Sequence, residues 1–179
     1  PLAPGKVVRV NRMVALEKFL GKEGEKRVTG LGFSTTAGDT IFASRGGLVT
    51  EVVDNAASTS ENTSFHSTEN YLEVFHKDGT FARYKLFQNG GIFVSPGEEV
   101  IPGQPLGIIG GENYKQGSHL RFSIYCPDQP DYSYVPDFCL SQEEVGKPEP
   151  RVMYKSWHPV AIVVREMSKK EKKKFLSKE

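Results

Sequence analysis

Residues 94–125, VSPGEEVIPGQPLGIIGGENYKQGSHLRFSIY, limit the folds open to this chain more than any other stretch. Pro96-Gly97 and Pro102-Gly103 each encode a tight turn, because proline presets φ near −65° and glycine takes the positive φ that follows. Between the second turn and Gly110 the run Pro105-Leu-Gly-Ile-Ile is apolar and glycine-bounded, the pattern of a fully buried strand. In His119-Leu-Arg-Phe-Ser-Ile-Tyr125 a two-residue period puts Leu120, Phe122 and Ile124 on one face and His119, Arg121, Ser123 and Tyr125 on the other. The apolar face must be core. Chemistry is therefore expected on the His119–Arg121 side.

The rest of the chain fits a protein built of short strands and turns. Val7 to Leu16 is β-branched and partly alternating, and residues 17–27 are charged with two glycines, a turn. Strands are expected at Val28–Phe33, Thr40–Ala43 and Gly46–Asp54, then a polar surface loop over residues 55–69. Tyr71–His76 and Thr80–Phe87 flank Lys77-Asp78-Gly79, a hairpin signal. Residues 127–149, rich in proline, aspartate and tyrosine, read as a long connection wrapping the sheet. The apolar run in Pro159–Arg165 reads as a last strand, pairing with a sheet edge near Val7–Val10. Ser168-Lys-Lys-Glu171 has the form of a helix capping box, opening a short basic helix that ends near Leu176.

With 179 residues the chain can bury a sizeable core, and its net charge of +1 does not select a partner class. No apolar run is long enough for a membrane span. The C-terminal lysines read as a solvated helix rather than a nucleic-acid contact. Twelve residues separate Cys126 from Cys139, without CxxC spacing or paired histidines, which argues against a zinc finger. A disulfide in an oxidising compartment and two buried thiols are both compatible with that spacing. His66, His76 and His158 have no ligand spacing among them, and Trp157 reads as a packing anchor.

From Val28 to about Tyr125 the order of motifs resembles the lysostaphin-type (LytM-like) zinc metallopeptidases that cleave peptidoglycan cross-links. Gly38-Asp-Thr-Ile-Phe-Ala43 is similar to the family's G-T-P-V-Y-A, Gly46-Gly-Leu-Val to D-G-x-V, and residues 79–87 to its N-G-y-x-x-x-Y-x-H-L strand. Pro96-Gly-Glu-Glu-Val-Ile-Pro-Gly-Gln104 is similar to v-G-q-x-V-x-x-G-Q, and Gly117-Ser-His-Leu-Arg-Phe122 to G-P-H-L-H-F. The resemblance implies a mainly β fold, a duplicated-hybrid-motif antiparallel, barrel-like sheet domain over residues 28–126. A strand extension at 1–27 would precede it, and a wrapping segment, strand and basic helix at 127–179 would follow.

The departures lie at the metal. In the family zinc is held by the His and Asp of H-x-G-x-D and the second His of H-x-H. Those positions fall here on Val28, Gly32 and Arg121, and the histidine of Y-x-H-L falls on Leu86, beside Tyr84. His119 is the one catalytic position kept. A catalytic zinc takes about three protein donors, whereas valine and glycine offer none and arginine is a cationic donor of hydrogen bonds. No metal and no cofactor are expected, and an enzyme is disfavoured. His119, Arg121, Tyr84 and Leu86 become candidates for lining a metal-free groove, where Arg121 could pair with a peptide carboxylate or with an internal one such as Glu112.

The resemblance then implies a catalytically inactive homologue in the cell envelope, periplasm or outside the cell. Its expected partner is a peptidoglycan stem peptide, or a cell-wall hydrolase or other envelope protein that it scaffolds. No nucleic acid is expected. The alternative is an active zinc peptidase with non-standard ligands. A carrier module is a third class, since PGEEVIPGQPLGIIG is also similar to turns of biotinyl and lipoyl domains, but Lys77 lies in the wrong context for modification.

Overall fold

The computed structural model describes residues 1–14, 29–56, 69–110, 118–141 and 143–177. The expectations for residues 17–27, Val28, His66, Glu112 and most of the 55–69 loop lie outside them. Alternation of apolar and polar side chains lays down the strands β1 (Val7–Val14), β2 (Thr29–Ser34), β4 (Gly47–Val53), β5 (Tyr71–Phe75), β6 (Phe81–Lys85), β8 (Glu99–Val100), β10 (His119–Cys126) and β14 (Met153–Lys155). They form one antiparallel sheet in the order β14-β1-β2-β10-β6-β5-β4-β8, and β11 (Gln129–Tyr134) pairs with β10 as a hairpin. A second sheet of β3 (Thr40–Phe42), β9 (Pro105–Ile109) and β7 (Phe87–Ile92) has the order β3-β9-β7. Leu72, Val74, Tyr84, Leu120 and Phe122 of the large sheet join Ile41, Phe87, Leu106 and Ile109 of the small one in a single buried cluster.

The two Pro-Gly turns form as their chemistry requires, with φ of +88° at Gly97 and +79° at Gly103. The expected strand Thr80–Phe87 is in fact broken at Leu86, whose φ is +79°, a conformation that a bulky side chain rarely adopts. There the chain leaves the large sheet as β6 and enters the small one as β7. Asn70 holds the break. Its carbonyl accepts from Leu86 N at 2.8 Å, and its side-chain amide donates to Phe87 O at 3.2 Å and Ala56 O at 3.0 Å.

The C-terminal expectation needs correction. Pro159–Arg165 is not a strand; after Pro159 in an extended conformation the chain turns into a short helix, α1 (Val160–Val163). A continuous apolar run has no period to separate the two structures, and what separates them is the hydrogen-bond partner within reach. The edge at Val7–Arg9 is already paired, with Lys155 to Met153 of β14. The basic helix α2 (Lys169–Leu176) starts at Ser168 with the expected reciprocal capping box to Glu171. The expected 127–149 connection is not all loop: residues 129–134 form β11, and Phe138, in the small hairpin of β12 (Phe138–Cys139) and β13 (Val145–Gly146), packs on Phe33 and Phe122. Cys126 and Cys139 are free and half-buried.

Arg45 ties this C-terminal segment to the β5–β6 turn, bonding Asp78 and Glu166, each at 2.5 Å. Next to it His76 is fully buried. Its Nδ1 is 3.1 Å from Gly46 O, and its Nε2 has no hydrogen-bond partner among the described residues. Burial first, then the Arg45 charge, hold its pKa below 6.5. The unfolded chain therefore binds more protons than the folded one below about pH 6.5, and stability is lost as pH falls through that point. Urea midpoints should drop between pH 7 and pH 5, and His76→Asn should flatten that slope. An equal slope in the variant would show that His76 is not the group responsible.

Candidate functional site

The His119–Arg121 face expected from the strand period exists, and ladder register determines what stands beside it. Residues directly opposite in an antiparallel pair share a face. Arg121 lies opposite Gly32 of β2 on one side and Lys85 of β6 on the other, and Lys85 lies opposite Tyr71 of β5. A glycine, two cations and a tyrosine thus form one row across four strands. The carboxylate of Glu69, two residues before β5, pairs with both cations of the row: it accepts from Arg121 Nη1 and, at 3.2 Å, from Lys85 Nζ. Its side chain is only 10% exposed. Arg121 Nε also donates to His119 Nε2 at 3.2 Å.

A second row lies one pair further along. Arg83 of β6 stands between Ser123 of β10 and Glu73 of β5. Glu73 is buried and accepts from Arg83 Nη2 at 2.6 Å, Arg83 Nε and Thr50 Oγ1 at 3.0 Å, and the Tyr125 hydroxyl. The Arg83 guanidinium lies over the rings of Tyr71 and Tyr125, at 5.1 and 5.4 Å from their centroids. Burial and the Glu73 carboxylate push the Tyr125 phenol above its ordinary value, so it serves as a neutral donor. Phe75, Phe81 and Tyr125 continue the face as an aromatic stack.

Two of the four expected groove residues, His119 and Arg121, are brought together here. Tyr84 and Leu86 are not on this face, and both side chains are 0% exposed. Tyr84 lies opposite Phe122, in the core, with its hydroxyl 2.7 Å from Ser44 Oγ and accepting from Ser44 N at 2.9 Å. Motif letters placed them in the groove; the alternation in Phe81-Ala-Arg-Tyr-Lys85 instead turns Arg83 and Lys85 outward. That signal was present in the sequence. Glu69 had none, because only the turn of chain before β5 carries it to Arg121. Among the described residues Glu69 is an internal carboxylate paired with Arg121.

The residues that the motif resemblance sets at the metal positions do not fit zinc. Gly32 supplies no side chain, and facing it is a guanidinium with no lone pair to give. The lone pair of His119 Nε2 already accepts from Arg121. Among the described residues no three His, Cys, Asp or Glu side chains come together as a ligand set.

Gly32 and Arg121, the two described positions that the motif resemblance sets at the metal, thus lie opposite one another on neighbouring strands of one β-sheet face. The chain belongs to peptidase family M23, whose family model matches residues 26–131, more than half of its length. Comparison with curated proteins gave no match. Among solved structures, lysostaphin is 21% identical over 55% of this chain and 36% of its own, with a TM-score of 0.44. A zinc-containing peptidase from Vibrio cholerae is 23% identical over 59% of this chain and 28% of its own, with a TM-score of 0.44. A variant catalytic domain of the prophage-encoded M23 protein EnpA from Enterococcus faecalis is 20% identical over 74% of this chain and 93% of its own, with a TM-score of 0.48. The chain thus spans about a third of the length of the first two proteins.

Proposed function

We propose that this is a non-catalytic M23 domain of the cell envelope, or of a secreted protein, that acts as a binding scaffold for a cell-wall hydrolase or another envelope protein. The observation that carries this reading is the Arg121–Glu69–Lys85 row. Where the family binds a dication, this chain has a guanidinium opposite a glycine, neutralised from within. Without a metal nothing lowers the pKa of an attacking water from 15.7 towards 7. His119 alone would supply general-base help on the order of 10²- to 10⁴-fold, far below what amide hydrolysis demands.

The same row argues against Arg121 as a carboxylate receptor for stem peptides, since Glu69 already fills that role. The test is elemental analysis after equilibration with zinc, together with a muropeptide digestion assay with and without added zinc. No stoichiometric metal and no cleavage are expected. Bound zinc at one equivalent, or cleavage abolished by a chelator, would overturn the proposal in favour of an active peptidase with other ligands. Muropeptide binding lost in Arg121→Ala would overturn the scaffold reading in favour of a peptide-binding groove.

A further inference from the structure

The charge of this chain is unevenly distributed. Residues 151–177 hold eight Lys and Arg against two Asp and Glu, a net +6 in a chain whose total is +1, so the remainder is net −5. Both acids in the segment are engaged: Glu166 with Arg45, and Glu171 in the capping box at Ser168. The net +6 already counts both acids, so an excess of cations remains in the segment. Five of the lysines lie on α2, which buries no residue, and neither does α1.

Large apolar side chains stand exposed in the same segment: Trp157 at 42%, Ile162 at 46% and Leu176 at 51%. Trp157, Val160 and Val163 line a groove of about 770 Å³ that Phe175 of α2 and Lys155 also border. A basic helix beside an exposed tryptophan and aliphatic residues combines the two terms of interfacial binding, attraction to anionic headgroups and burial of apolar side chains among acyl chains. We propose that Trp157, α1 and α2 form a docking surface for an anionic phospholipid bilayer. Phosphates of a nucleic acid would satisfy the lysines but leave the aliphatic residues in water. A second copy of the chain would set +6 against +6. An anionic lipid surface answers both features.

Trp157 is the only tryptophan of the chain, so its fluorescence reports directly on the surface. The full chain is titrated with vesicles of phosphatidylcholine with and without phosphatidylglycerol, and binding is also read by co-sedimentation. Binding to the anionic vesicles with a blue-shifted emission is expected, weakening as salt is raised. Neutralising Lys170, Lys173 and Lys174 to Gln should lower the partition coefficient on the order of 100-fold, at about 5-fold per lysine. Ile162→Asp should weaken binding with the lysines intact. These positions are exposed, so unchanged melting curves confirm that the variants remain folded. No binding, equal binding to neutral vesicles, or binding without a shift of Trp157 emission would each overturn the proposal. So would tighter binding to a DNA duplex that Ile162→Asp leaves unchanged.

Discussion

Gly47→Ala is expected to destabilise the domain by about 3 kcal/mol or more, lowering the melting midpoint on the order of 10 °C. A Cβ at Gly47 would lie 2.2 Å from the Phe75 carbonyl oxygen and 2.7 Å from Val74 Cγ1. Neither can yield cheaply. Phe75 is paired in register with Leu48 of β4 and with Phe81 of β6, and Val74 is fully buried. On its other side Gly47 is paired with Val100 of β8, so the strand cannot retreat without breaking that pair. The glycine of the D-G-x-V-like motif is thus explained by close approach of one backbone to another. Gly97→Ala is the control, because a Cβ there meets nothing within 4 Å among the described residues and the cost is the positive φ, roughly 1 kcal/mol. Equal melting curves for the two variants would show that the contact at Phe75 is not tight in solution.

Glu69→Ala is expected to cost about 2 kcal/mol and to do so through charge rather than volume. Removing one partner of a buried ion pair costs about 3–5 kcal/mol, and this is reduced here because Lys85 is 34% exposed and water screens it. Without the carboxylate, Arg121 and Lys85 face one another as directly opposed like charges, which adds to the penalty. Glu69→Gln should therefore be nearly as damaging as Glu69→Ala, and about 1 M salt should recover part of the loss in both by screening the two cations. Glu99→Ala, at an exposed position, should change little. A Glu69→Gln variant as stable as the parent would mean that the row does not depend on the carboxylate, and would remove the observation on which the scaffold reading rests.

The sequence alone determined more of the fold than of the site. The alternation in residues 119–125 and 82–85, the Pro-Gly turns and the Ser168 capping box all act over a few residues, so they can be read without knowing what lies across the chain. That the side chains of Val28, Gly32 and Arg121 offer a metal no lone pair was equally legible, since the chemistry of a side chain does not depend on its neighbours. What the tertiary structure decided was every question of partnership. It turned the apolar run at Val160–Val164 into a helical turn, because the sheet edge at Val7–Arg9 was already paired with Met153–Lys155. It brought Lys85 alongside Arg121, because ladder register rather than motif spacing sets which residues of neighbouring strands stand side by side. It also delivered Glu69 to Arg121 across 52 positions of sequence. Local patterns are written in the order of the residues, but a buried ion pair is chosen by whichever opposite charge the fold carries within reach.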